Sequence, residues 1–334
     1  MTTAGSTIRT KGGSRLALFV CVASAGCGAD EPAAALARDP AYWPFSAESP
    51  WNTPIGSGAV YEPETSPGLD LLLGGYLNVT DWTHPVYLAS PDDPPRTFFR
   101  TDGSVCAFGR VPDDATPDPQ ADAHLHVIDE THRRVVENWA CSRRADGDLE
   151  AEACVVNDLT DAGVYPEWHG VRAYGGSAIA GLIRRGELLA GIPHALAVSM
   201  ENVHMNRLAP GGGCFVWPAS ECDGGDGASY GTEGNVFMGS LVALPPDVDI
   251  GALGLSPAGL ELARALQDYG AYVVDAGSDL NFYAEPTAAA EVGLALYDDI
   301  NDLAPLVRLV ANHTATTPGG GGTPRRPPAP PFDR

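Results

Sequence analysis

From about residue 59 to 140 the apolar positions come in short runs broken by Pro, Asp and Gly. HisProValTyrLeuAla (84–89), ThrPhePheArg (97–100), HisLeuHisValIle (124–128) and ArgArgValValGluAsnTrp (133–139) have strand length and strand composition. The runs 124–129 and 133–140, joined by GluThrHis, predict a hairpin, and AlaCysValVal (153–156) a further strand. Residues 111–123 form a loop rich in Pro and Asp. The stretch 168–200 runs from a glycine pair, Gly175 and Gly176, through an apolar segment into a charged helical turn with Arg184, Arg185 and Glu187. It then reaches His194, at the head of a second apolar run.

One helix is clearly marked. Ser256 is a natural N-cap, Pro257 suits the first helical position, Leu260, Leu262, Ala263 and Leu266 form a stripe, and Gly270 stops it. A strand at 271–275 follows, then a weaker helix over about 287–297 and a closing strand at 306–310. These elements predict a mainly β fold, a jelly-roll-like β-sandwich with two or three peripheral helices, as a single domain over 42–313. The tail 314–334, with its GlyGlyGlyGly and ProArgArgProProAlaProPro, is low in complexity and predicts disorder.

The N-terminus alters this picture. Arg9, Lys11 and Arg15 precede a short apolar segment (16–23), and SerAlaGlyCys ends at Cys27. This is the layout of an export signal over 1–27. Its ending resembles a lipoprotein lipobox with Cys27 as the lipidated residue, and simple secretion is the alternative. Residues 28–41 then serve as a tether. The expected location is the cell envelope or the exterior, with membrane contact only through the N-terminal lipid. Of 334 residues, 43 are Asp or Glu and 20 are Lys or Arg, a formal net charge of −23. Such a surface repels nucleic acid, which is excluded as a partner, and suits a soluble monomer. Export permits disulfides. Cys214 and Cys222 flank a short Gly-rich loop and are the first expected pair. Cys141 with Cys154 is the second, which leaves Cys106 over.

Several side chains carry chemistry. Asp122, His124 and His126 lead one strand, and residues two apart share a face. His124 and His126 can act in proton transfer, or as metal ligands with His194 or His84 completing the set. Asp275 ends an apolar strand, where it is either a functional carboxylate or a turn cap. With Glu187 it could form the carboxylate pair that glycosidic hydrolysis needs, although Glu187 and Arg184 also have the i,i+3 spacing of a surface ion pair. Trp82, Trp168, Tyr174 and Trp217 are candidates for stacking on sugar rings. The sequence has no Gly-x-Ser-x-Gly elbow, P-loop, His-Glu-x-x-His motif or nucleotide fingerprint.

The order of several landmarks is similar to a family of exported bacterial proteins, mostly without assigned activity, found among secreted carbohydrate-active proteins. They are TrpAsn (51–52), Asp122 with His124, the block from Gly181 to Ala195, TrpPro (217–218), TyrGlyAlaTyrValValAspAlaGlySer (269–278) and TyrAspAsp near 297. The resemblance covers most of 49–310. It implies a β-sandwich with a few helices, and that His124, Arg184, Glu187, His194 and Asp275 occupy positions the family uses. The chain departs from the pattern in its Cys214–Cys222 insertion and in the Ala after Asp275, where Asn is usual.

The sequence therefore leads to an expected glycan-active enzyme, hydrolase or lyase. His124, His194 and Asp275 are expected in one cleft with Arg184 and Glu187, and the substrate is a polysaccharide or oligosaccharide. No cofactor is expected. The alternatives are a non-catalytic glycan-binding lipoprotein, and a cupin-like protein holding a divalent metal at His124, His126 and His194.

Overall fold

The computed structural model describes residues 37–333 apart from 65, 67, 68, 70, 71 and 73. The signal segment, Cys27 and the tether up to residue 36 lie outside the described residues. Strands hold 26% of the chain and helices 17%, as expected of a β-sandwich with a few helices. Among the described residues no helix is long and apolar enough to cross a membrane.

Three sheets make up the fold. Two four-stranded sheets pack face to face. The first contains Val86–Leu88, Leu125–Ile128, Arg134–Trp139 and Ala153–Asp158, in that order. The second contains Val105–Arg110, Pro95–Arg100, Leu149–Ala151 and Ser142–Arg143. Strand alternation sends Leu125, Val127 and Cys154 of the first sheet towards Phe98, Leu149 and Ala151 of the second, and these residues form one buried cluster. The predicted hairpin is present, with Leu125 opposite Asn138 and Ile128 opposite Val135.

The third sheet is six-stranded and mixed, and most of the hydrophobic core lies around it. Its middle is Leu196–Glu201, parallel to Ala271–Gly277 on one side and antiparallel to Leu280–Tyr283 on the other. The marked helix covers Pro257–Asp268, and Ser256 Oγ accepts the Gly259 N–H at 3.1 Å. Its buried stripe includes Leu262, Ala263 and Leu266. Downstream the prediction is displaced. Pro286–Glu291 is 3₁₀ helix, because Pro286 starts a tight turn, and the α-helix runs over Leu294–Leu303 beyond Gly293. The closing strand shrinks to Arg308–Leu309.

Two expectations are corrected here. The tail does not stand apart. Gly56 N–H donates to Gly319 O at 3.0 Å, Arg325 Nη1 donates to Gln267 O at 2.7 Å, and the Arg38 guanidinium lies 4.0 Å from the Phe332 ring centre. Low complexity left the tail with few side chains of its own to bury, but Gly319 and Gly320 are buried against residues 54–59 and its backbone hydrogen-bonds to the core. The second correction concerns the cysteines. Cys214–Cys222 is bonded as expected, but the other bond is Cys106–Cys154, and Cys141 is the buried free thiol. Cys106 and Cys154 lie on facing strands of the two packed sheets, so the bond staples the sandwich, a proximity that sequence spacing does not reveal. Two disulfides fit an extracellular or periplasmic environment.

The Cys106–Cys154 bond closes a loop of 48 residues. Its removal by Cys106→Ser should cost about 4 kcal/mol of stability on the chain-entropy account. Denaturant titration of the variant against the parent checks this, and peptide mapping of the parent without reductant should recover Cys141 as the one free thiol among the cysteines of the described residues.

Candidate functional site

The polar site lies where the first four-stranded sheet meets the six-stranded one. While Leu125 and Val127 face the sandwich core, His124 and His126 project from the other face of their strand. His84 joins them from the chain entering Val86–Leu88, where His126 N–H donates to Pro85 O at 2.9 Å. The His84 ring centre lies 4.2 Å from that of His124 and 5.2 Å from that of His126. His84 Nδ1 and His126 Nε2 are 3.0 Å apart, and His124 Nδ1 faces Asn138 O at 3.3 Å. All three rings are buried. Burial first, and then neighbouring positive charge that includes Arg172, pushes His124 down to about 3 and the other two well below the ordinary imidazole value. The cluster is therefore neutral at working pH.

Asp275 reaches the same site from the six-stranded sheet through a β-bulge. Val198 pairs with Val273, but Ser199 pairs with Asp275, so one extra residue sits in the Asp275 strand. Side chains alternate with period two, so the extra residue moves Asp275 to the face opposite Val273. There it joins Ser199 and Asn281. Its side chain is 26% exposed. Burial pushes its carboxyl up to about 7, Arg172 pulls it down, and Asp223 and Asp122 add to the rise. Arg172 Nε lies 3.9 Å from Asp275 Oδ2, and the guanidinium sits 4.0 Å over the Tyr283 ring. None of the three Arg172 side-chain nitrogens has a hydrogen-bond partner among the described residues.

The glycine-rich loop that carries Arg172 is held at several points. Glu137, fully buried on the first sheet, accepts from Ser177 Oγ and from Ala178 N–H, the latter at 2.8 Å. Burial pushes its carboxyl up to about 6. Tyr174 N–H donates to Val274 O at 3.1 Å, which ties the loop to the bulged strand. Gly175 has φ +83, and a Cβ there would lie 2.5 Å from Ser220 Oγ, so this turn requires glycine.

Two cavities open over these residues. One, of about 460 Å³, is lined by Trp139, Trp168 and Arg172 and walled by residues 221–225, at and just beyond the Cys222 end of the disulfide-closed loop. The other, of about 320 Å³, is lined by Trp82, His84, Ser199 and Tyr283. Both share Asp122, His124 and Asp275. Trp168 and Trp82 are each about half exposed. Tyr174, in contrast, is a core residue whose hydroxyl donates to Ser177 O at 2.8 Å. Trp217 lines a separate cavity beside His313.

The structure does not bring His194, Arg184 or Glu187 to this cleft. His194 lies five positions before Ser199, at the opposite end of the strand from the row that holds Asp275. At about 3.3 Å per residue that is about 16 Å. The three residues form a structural knot instead. Arg184 Nε donates to Glu285 Oε2 at 2.7 Å and Nη1 to Ala41 O at 2.8 Å, so the expected surface pair with Glu187 is replaced by a buried pair with Glu285. Glu187 Oε2 accepts the Arg184 N–H at 2.7 Å, and both its oxygens lie 3.2 Å from His194 Nε2. The crevice beside His194 holds about 10 Å³, no more than one water. The carboxylate that accompanies Asp275 is Asp122, and the third histidine beside His124 and His126 is His84. The Asp122 signal was present in its spacing to His124. Nothing local marks Tyr283 or the burial of Arg172.

No family model, curated protein or solved structure matches this chain.

Two stability predictions follow from the knot. Arg184→Ala leaves Glu285 buried without its cation and should cost about 3–5 kcal/mol, measurable by urea unfolding. Burial alone would push His194 down, but Glu187 outweighs it and leaves the ring raised. That stabilisation is present below the ordinary imidazole value of about 6.5 and is lost as pH rises through the folded one. Melting curves of Glu187→Gln should therefore fall furthest below the parent near pH 6 and approach it near pH 9.

Proposed function

We propose that this chain is an exported enzyme that cleaves glycans in the cleft over Asp122, His124 and Asp275, most simply by hydrolysis. The observation that carries the reading is the shared floor of the two cavities, a polar centre flanked by an exposed tryptophan on each side, Trp168 and Trp82. A sugar chain has apolar ring faces and polar edges, and it would pass from one tryptophan to the other across the carboxylates. Asp275, held protonated by burial, supplies a proton to the leaving oxygen. Asp122, whose carboxylate accepts from Trp139 Nε1 at 3.1 Å, is the second carboxyl group that the reaction needs. Arg172 places a fixed positive charge beside Asp275 and would stabilise negative charge that develops there.

The disulfides support secretion or periplasmic location, and a lipid on Cys27 would hold the enzyme at the membrane through its tether. With 43 acidic against 20 basic residues, nucleic acid is not the partner.

The test is release of reducing ends and of unsaturated ends across a panel of neutral and acidic polysaccharides. Reducing ends without unsaturated ends are expected. Asp275→Asn and Asp122→Asn should each cut turnover by roughly 100-fold or more. Because the donor must be protonated, activity should decline as pH rises through about 7. Binding of the same polysaccharides with neither kind of end released would replace the enzyme by a glycan-binding protein.

A further inference from the structure

The geometry points to a metal site at His84, His124 and His126, one that takes a first-row divalent cation of the zinc class and leaves at least one coordination position open to the cleft. Each ring offers one nitrogen, and the three nitrogens lie within 4.8 Å of one another. Three imidazoles around one tetrahedral ion need nitrogens about 3.3 Å apart at metal distances of about 2.0–2.1 Å. His84 Nδ1 and His126 Nε2, 3.0 Å apart, already stand close to that spacing.

Three further features favour a ligand set over a packed polar cluster. No carboxylate hydrogen-bonds any of the three rings among the described residues. Three imidazoles with so few partners are an unfavourable way to fill a protein interior. His124 Nδ1 facing Asn138 O fixes that ring so that Nε2 is the free nitrogen, the outer-shell arrangement that metal-binding histidines use. The elements are also rigid. His124 leads into Leu125–Ile128, which carries His126 and lies in the sheet between Val86–Leu88 and Arg134–Trp139, while the Glu137 clamp holds the neighbouring loop.

Charge bears on affinity from both directions. Arg172 opposes a second positive charge nearby, while Asp122, which lines the cleft with His124, favours it. Three neutral nitrogen ligands plus an open position form the donor set of zinc sites that activate water. The only other grouping with ligand spacing among the described residues is Glu201, His204 and Asp279, two of them exposed. The proposed site stands whether or not the cleft acts on glycans.

The full chain, with its disulfides intact, is stripped with chelator and titrated with Co²⁺ as a spectroscopic probe and with Zn²⁺ in competition. One equivalent should bind with Kd below about 1 μM, with visible bands of a four- or five-coordinate nitrogen site that Zn²⁺ abolishes. His126→Gln and His84→Gln should weaken binding by 100-fold or more. Absence of binding to the parent at 10 μM metal, or equal binding by the parent and both variants, would overturn the proposal. If either variant fails to fold by near-ultraviolet circular dichroism, X-ray absorption of the Zn²⁺-loaded parent decides. Three imidazole nitrogens support the site, and a mainly carboxylate shell removes it.

Discussion

The burial of one guanidinium organises the seam between the sheets. Arg172 has no exposed side-chain surface and stands beside Asp275 and over the face of Tyr283. A cation removed from water needs compensation, and an opposite charge about 4 Å away contributes about 4 kcal/mol at the effective dielectric of a protein edge. That compensation is only partial here, because burial also pushes the Asp275 carboxyl towards its neutral form. The result is a region of positive potential, and it helps keep three neighbouring histidines uncharged. A protonated imidazole in that position would face both desolvation and repulsion.

Positioning of this cation falls to groups that take no part in chemistry. Glu137 reaches from the first sheet to hold Ser177 and Ala178, and Tyr174 hydrogen-bonds to the bulged strand. The disulfide-closed loop at Cys214–Cys222 lends a wall to the larger cavity. At the other end of the six-stranded sheet the same residue types serve a different purpose. Arg184 and Glu285 form a close buried pair, and Glu187 neutralises His194 at short range. Arg184, Glu187, His194 and Glu285 each have a close partner there and little space remains, so the arrangement suits stability. At the Asp275 end partners are missing and space is present, which suits ligands.

The acidic surface and the buried cation are complementary features of one electrostatic design. The exterior carries a net negative charge, while Arg172 sets a buried positive charge at the floor of a cleft. On the proposed function, a sugar chain would meet Trp168 and Trp82 at the two mouths before it reaches Arg172.

The sequence by itself determined the local elements. Strand runs with period two, the hairpin of 124–128 with 134–139 and the Ser256-capped helix follow from side-chain pattern and capping chemistry within a few residues of one another. So do the shared face of His124 and His126 and the bond closing the Gly-rich loop at Cys214–Cys222. Tertiary structure decided which distant residues meet. The bulge between Val198 and Ser199 sends Asp275 to the cleft face, and it depends on pairing with a strand more than 70 residues away. His84 joins the histidine pair only because its segment pairs in parallel with Leu125–Ile128. His194 leaves the site because strand direction puts it at the far end of the sheet, and Cys106 finds Cys154 because two sheets pack face to face. Local pattern encodes which face of an element a residue occupies. Which end of which sheet that face meets is settled by the packing of the whole core.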